Sequence, residues 1–226
     1  MDGSFFKGVE ILYEDNHLLV VIKPVNMPMQ ADASGDTDLL SLLKEYRRVH
    51  ENKPGEAWLG LVHRLDRPAG GVCVFAKTSK AASRLSDQIR TNRLIKEYHC
   101  VVEGRFQELT GAYQDWLLKD HRQNQSIVTK SQEPGAKLAS LDYQVLFQTA
   151  TMVLVKVRLY TGRSHQIRVQ FAAHGHPLWG DHRYGHGQSH QQLALWASSL
   201  TFAHPVSKEE LTFTAPLPDT EPWNLF

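Results

Sequence analysis

The strongest constraint on this chain is that its apolar residues come in short runs of two different periods. Residues 9–13 and 17–23 read as two strands around the turn Glu14-Asp15-Asn16, and Pro24 and Pro28 then bracket a loop. Asp36 or Thr37 is placed to cap a helix running to about His50, with Leu39, Leu40, Leu42, Leu43 and Val49 apolar. Pro54-Gly55 ends that stretch. Leu61-Val62 leads into a polar turn over 63–71, and 72–76 is a short apolar strand. Thr78 and Ser79 look like caps of a helix in which Ala82, Leu85 and Ile89 recur at helical spacing. Residues 97–103 alternate like a strand. Residues 142–147 and 152–160 read as a hairpin with Val153, Val155 and Val157 on one face. Ser164 is placed to cap a helix through about Ala173, and 193–202 and 211–213 close the chain as strands. Hairpins mixed with helices, without regular βαβ units, predict an α+β fold with a largely antiparallel mixed sheet flanked by helices and loops. No repeat or linker divides the chain, so a single domain over 1–226 is expected.

Composition narrows the class. At 226 residues, with 42% hydrophobic and 22% charged, the chain is long enough for a real core and is neither disordered nor fibrous. No apolar run approaches the roughly 20 residues of a membrane helix. Met1 to Lys7 lacks the basic start and apolar stretch of a leader, so a cytoplasmic protein is expected. Cys73 and Cys100 lie in separate apolar segments and read as two buried thiols in a reducing compartment. The net charge of +1 conceals a pattern: −4 over 1–60, +5 over 61–105, +4 over 156–190 and −3 over 205–226. Two basic segments between acidic ends would suit a phosphate backbone if they met in space, and solvated faces if they did not.

Three clusters carry candidate chemistry. In His63-Arg64-Leu65-Asp66-Arg67-Pro68 a carboxylate sits between two arginines beside a histidine. Neighbouring cations would hold it ionised, and an ionised carboxylate in a cleft is a candidate nucleophile. Taken alone, the same residues describe a surface ion-pair turn. In Thr161-Gly162-Arg163-Ser164-His165-Gln166-Ile167-Arg168 a glycine turn opens a helix whose first turns carry donors suited to phosphate. In Lys96-Glu97-Tyr98-His99 a strand tyrosine can stack on a base or simply pack in the sheet.

Taken in order, these segments resemble the RluA-type pseudouridine synthases. Lys23-Pro24-Val25-Asn26-Met27-Pro28 resembles the family's early K-P-x-G loop. His63 to Arg67 is similar to its H-R-L-D-R signature, and Lys96-x-Tyr98 with Gly104 to its K-x-Y strand. Thr161 to Arg168 is similar to its T-G-R-x-H-Q-I-R motif. Gly175-His176-Pro177-Leu178-Trp179-Gly180-Asp181, Tyr184-Gly185 and the tail from Leu193 to Pro205 also match. Ala69-Gly70-Gly71 departs from the family's Thr-Ser-Gly, and Asn26 stands where Gly is usual. The small N-terminal RNA-binding domain of some relatives is not expected here.

The resemblance implies a pseudouridine-synthase catalytic domain with an RNA-binding cleft, an enzyme that flips out a uridine and isomerises it in tRNA or rRNA. It implies Asp66 as the catalytic aspartate, Arg168 as its ion-pair partner, and Tyr98 as the ring that stacks on uracil. Arg64 would fill the gap left by the flipped nucleotide and Ile167 would pack near the base. His63, Arg67, Lys96, His165 and Gln166 are further substrate-contact candidates. Lys77, Lys80, Arg84, Arg90 and Arg163 are guesses for phosphate contacts from charge. No cofactor, metal, membrane or obligate protein partner is implied. Two other readings remain open at this point: an inactive RNA-binding protein on the same fold, and a metal hydrolase built on His165, His174, His176, His182, His186 and His190 with Asp181. The second lacks H-E-x-x-H or any closed ligand spacing.

Overall fold

The computed structural model describes residues 4–52 and 54–226; the first three residues of the leader reading lie outside them. In chain order the elements are β1 (Ser4–Phe6), β2 (Val9–Glu14), β3 (Leu18–Lys23), α1 (Leu39–His50), β4 (Gly60–Leu61), β5 (Gly70–Ala76) and α2 (Ser79–Arg90). There follow β6 (Ile95–Glu103), β7 (Thr110–Asp120), β8 (Gln125–Thr129), β9 (Lys137–Gln148) and β10 (Met152–Leu159). The chain ends with α3 (Gln166–Ala173), β11 (Leu195–Ala203), β12 (Glu210–Thr214) and a 3-10 turn at Trp223–Leu225. It divides into two compact units, Met1–Ile95 with Ala197–Ala215, and Lys96–Trp196 with Pro216–Phe226.

In the first unit the strands run in the order β1-β2-β3-β5, with β11 beside β5, β12 on β11 and β4 on β5. β5 is buried at all seven positions, as a central strand flanked on both edges and both faces should be. β3 lies antiparallel to it from Leu18 opposite Ala76 to Lys23 opposite Gly71. Leu39, Leu42, Leu43, Tyr46 and Arg47 form the buried stripe of α1. Its cap is Asp38, which accepts from the Ser41 N–H at 2.9 Å, rather than Asp36 or Thr37. Thr78 caps α2 as expected, accepting from the Ala81 N–H. Gln88 on α2 makes two hydrogen bonds to the Ala203 backbone and so fixes the end of β11.

In the second unit the order is β6-β10-β9-β7-β8, antiparallel throughout. α3 packs over its β7–β8 end, where Val169 meets Leu117, Ala139 and Tyr184. Sequence reasoning assigned nothing to 104–141, which holds β7 and β8, and gave β9 half its length. Those strands put Tyr113 and Leu117 on the buried face and Gln114 and Trp116 on the other. Their alternation is there, but it is diluted by Lys, Asp and Gln. Ser164 is not the cap of α3. His165 occupies that place in the left-handed conformation (φ 55°) without a side-chain cap, while the Ser164 hydroxyl accepts from Lys119. Among the described residues, no helix is long and apolar enough to cross a membrane. Cys73 in β5 and Cys100 in β6 are buried free thiols, and burial pushes both pKa values up, Cys73 to about 12.

Candidate active site

β4 and β5 pair with Gly60 opposite Ala76 and Leu61 opposite Phe75, so residues 62–69 are the loop of an antiparallel hairpin. Leu65 and Ala69 are buried and plug this loop into the unit, while Asp66 between them is half-buried and Arg64 is exposed. The Ala69 N–H donates to the Asp66 carbonyl at 3.0 Å, closing a tight turn around the carboxylate. Gly71 then needs to be glycine. Its φ is +115°, and a Cβ there would fall 2.2 Å from the Ala197 carbonyl oxygen.

The loop is held from beneath by Lys23. Because β3 ends with Lys23 opposite Gly71, its side chain reaches back under the loop. The ammonium donates to the carbonyls of Pro24 (2.8 Å), Arg67 (3.0 Å) and Ala69 (2.6 Å), and the residue is fully buried. Burial lowers its pKa to about 8, opposed by the charge of Asp66 and reinforced by Arg67. Sequence reasoning quoted Lys23 only as part of a motif. A lysine at a strand end ordinarily faces water, so nothing local announced its burial.

Several expected substrate contacts have other duties in this unit. His63 Nε2 accepts the Val74 N–H at 3.1 Å, extending the hairpin ladder, which places the proton of a neutral ring on Nδ1. Arg67 turns away from the carboxylate to Asp36, to the Ser34 hydroxyl at 3.0 Å and to Asp32 at 3.9 Å. Lys77 is not a surface cation: its ammonium lies 2.5 Å from Glu14 and 2.8 Å from Glu51. Arg84 donates to the Pro205 carbonyl at 2.6 Å, and Arg90 pairs with Asp87. Arg64 and Lys80 are exposed, and their side chains make no hydrogen bond or ion pair among the described residues.

In the second unit Tyr98 lies on β6 opposite Val157, 7% exposed, on the same strand face as Lys96 and Cys100. Arg168 is buried on α3. Its Nε and Nη2 donate to the two oxygens of Asp181, both at 2.8 Å, and its guanidinium lies over the Tyr184 ring. Asp181 also accepts the Arg183 and Tyr184 N–H groups. Burial alone would raise its pKa, but the Arg168 bonds and charge with these two N–H groups outweigh it and hold the carboxyl low. The partner shown for Arg168 within this unit was therefore missed, although Asp181 was quoted in its motif.

The remaining T-G-R-x-H-Q residues largely fold their own turn. Gln166 is buried; its Oε1 accepts from the Thr161 hydroxyl (2.7 Å) and the Arg163 N–H (3.0 Å), and its Nε2 donates to the Ser140 carbonyl (3.1 Å). His165 Nδ1 is 2.8 Å from the Tyr184 hydroxyl, which itself accepts the Ser126 N–H. Ile167 is buried. Arg163 is exposed, with only its Nε held, by the Leu138 carbonyl at 2.9 Å. The histidines of 165–190 go to separate partners: His174 to Asp115, His176 to the Glu103 carbonyl, His182 to the Gln191 carbonyl. Among the described residues, no three His, Cys, Asp or Glu side chains gather to hold a metal.

The sequence matches the family described as RNA pseudouridylate synthase over residues 17–173. The uncharacterized RNA pseudouridine synthase YhcT of Bacillus subtilis (strain 168) is 33% identical over 214 residues, covering 93% of this chain and 69% of that protein. The ribosomal large subunit pseudouridine synthase D of Zymomonas mobilis is 33% identical over 222 residues, covering 93% of this chain and 69% of that one. The ribosomal large subunit pseudouridine synthase C of Escherichia coli (strain K12) is 34% identical, covering 92% and 66%. The solved structure titled Human RNA Pseudouridylate Synthase Domain Containing 4 superposes with a TM-score of 0.77 at 23% identity, covering 92% of this chain and 88% of that one. The chain belongs to the RNA pseudouridylate synthase family, in its RluA-type branch, whose members isomerise uridine to pseudouridine in RNA.

Proposed function

We propose that this chain makes pseudouridine in the cytoplasm, in large-subunit ribosomal RNA, with Asp66 as the one carboxylate that acts on the ribose. The observation that carries this reading is the hairpin loop of residues 62–69. It presents a half-buried carboxylate on a backbone that a fully buried lysine holds from below. The choice of RNA rests on the large-subunit ribosomal RNA named for the relatives C and D.

The reaction breaks the C1′–N1 bond, turns the uracil and joins C1′ to C5. The C5 proton leaves and N1 ends protonated, so the product is an isomer and no co-reactant is needed. One carboxylate suffices because the leaving uracil spreads its charge over two carbonyl oxygens and needs less protonation than a sugar leaving group. Asp66 either adds to C1′ or takes the 2′ proton; both require it ionised and shielded from water, since hydrolysis would leave an abasic site. By the family resemblance Arg168, whose guanidinium is oriented by its fork to Asp181, is the residue assigned as the counter-ion of the working carboxylate. Tyr98 stacks on the flipped base and assists loss of the C5 proton. Arg64, the loop cation whose side chain has no partner among the described residues, fills the gap left in the RNA.

The test is tritium release from RNA carrying 5-tritiated uridine, with Asp66→Asn and Asp66→Ala beside the wild type. Turnover is expected to vanish while RNA affinity stays within a few fold. An active Asp66→Ala enzyme overturns the assignment, and an inactive wild type supports the RNA-binding alternative. Pseudouridine mapping of total RNA from cells with and without the protein names the target; loss of a single tRNA site would replace ribosomal RNA as the substrate.

A further inference from the structure

Among the described residues several buried or half-buried cations have a carboxylate. Arg47 has Glu51, Lys77 has Glu14 and Glu51, and Arg168 has Asp181. Lys96 is an exception. It sits near the start of β6 opposite Leu159, largely withdrawn from water, and has no hydrogen-bond or ion-pair partner among the described residues. Its ammonium lies against the turn before α3, 3.3 Å from where a Cβ on Gly162 would stand. The next residue, Arg163, adds a second cation. Its Nε is held by the Leu138 carbonyl, and its two Nη groups have no partner among the described residues. Burial and the like charge of Arg163 both depress the Lys96 pKa.

Two neighbouring cations, one desolvated and neither neutralised, are costly unless an anion arrives. Gly162 keeps the backbone between them bare, so an anion can approach without meeting a side chain. The ammonium offers rotatable donors and the guanidinium a planar fork, a pair that suits tetrahedral oxygens sharing one charge. Tyr98, two residues along the same strand face, places this point beside the residue assigned to the base. We propose that Lys96 and Arg163, with the bare backbone of Gly162 between them, jointly bind one phosphodiester of the RNA substrate. This rests on the reading of the chain as an RNA-modifying enzyme.

The experiment measures binding of an unmodified large-subunit ribosomal RNA transcript across a salt series, with turnover measured separately. Lys96→Gln or Arg163→Gln is expected to weaken binding by about tenfold, the loss of one charged hydrogen-bonding partner. Lys96→Arg restores binding, which a merely structural lysine at a strand start would not show. Because the two cations share one phosphate, the double variant loses about 0.7–0.9 in the slope of log affinity against log salt. An unchanged slope overturns the proposal, and so does a loss of twice that size, which would mean two separate phosphates. Should Lys96→Gln fail to fold, Arg163→Gln, at an exposed position, carries the test; wild-type binding by that variant also overturns the shared site. Tritium release by the wild type reports on the enzymatic reading alone, so an inactive wild type with the expected salt slope would sink that reading and leave the anion site standing.

Discussion

The Asp66 loop in the first unit and the Thr161–Arg168 segment in the second are both polar and both rich in cations, yet they are built in opposite ways. In the loop Arg64 is exposed, Asp66 is half-buried, and a residue from elsewhere, Lys23, satisfies the carbonyls underneath. In the segment the polar side chains turn inward. Gln166 bonds its own turn, Arg168 forks onto Asp181, and His165 meets Tyr184. Similar composition therefore folds in two ways, as a loop braced by a lysine from another strand and as a turn whose own polar side chains carry its bonds. The two lysines sharpen the contrast. Both are depressed by burial, but Lys23 has three carbonyl acceptors while Lys96 has no partner among the described residues.

The largest expected effects test whether loop and segment separate chemistry from stability. Asp66→Asn should cost on the order of 10⁴-fold in turnover, as removal of a reacting group does, while shifting folding stability by no more than about 1 kcal/mol. Asp181→Asn should do the reverse first, destabilising by about 3–5 kcal/mol in urea unfolding, because it leaves Arg168 buried with a weakened partner. The pH dependence follows from the sign of the shift. The folded-state pKa of Asp181 is lowered, so its contribution is present above the unfolded carboxylate value and lost as pH falls through the folded one. The gap between wild type and Asp181→Asn should begin to narrow as pH falls below about 4. A stable Asp181→Asn protein, or an unfolded Asp66→Asn one, would erase the distinction between the two regions.

Where the sequence was legible, the reason was local. Thr78 followed by Ala82, Leu85 and Ile89 specifies α2 without help from elsewhere, and β2 and β3 announce themselves by apolar runs around a turn. The Asp66 loop was legible because its neighbours are glycine, proline and charge. What escaped depended on partners distant along the chain. Lys23 is buried only because strand register sets it opposite Gly71, and the Arg168–Asp181 fork joins residues across a turn whose path no periodicity shows. The start of α3 escaped for another reason. A histidine in the left-handed conformation replaces the usual hydroxyl cap, and such a cap leaves no side-chain signature. The surroundings of the cations were not legible either: Lys77, Arg84 and Arg90 have internal partners that a cation in sequence does not reveal.

The two lysines should separate cleanly in stability. Lys23→Met strands three carbonyls and should cost about 2–4 kcal/mol after relaxation, whereas Lys96→Met removes a half-buried charge that has no partner among the described residues and should be neutral or slightly stabilising. A titration adds a second readout. Lys23 drops from 10.5 unfolded to about 8 folded, so between these values the folded chain has released a proton that the unfolded chain keeps. Stability from this group should rise with pH across that window, by up to about 3 kcal/mol, and the rise should be missing from Lys23→Met. Equal losses from both lysine variants would mean that Lys96 also has a structural partner.

The smallest effect concerns Arg67, which links the loop to Ser34 and Asp36 on the exposed stretch before α1. Both partners of this ion pair are substantially solvated, so Arg67→Ala should cost less than about 1 kcal/mol. Its removal leaves the loop clamped by Lys23 and frees two carboxylates, Asp32 and Asp36, beside the loop proposed to meet RNA. RNA binding should therefore weaken by a few fold and turn more salt-sensitive at low ionic strength, while turnover at saturating RNA stays close to wild type. Restoring neutrality with Asp36→Asn in the Arg67→Ala background should recover most of the affinity. If turnover falls instead and affinity does not, Arg67 positions the Asp66 carboxylate through the backbone, and the loop is held from above as much as from below.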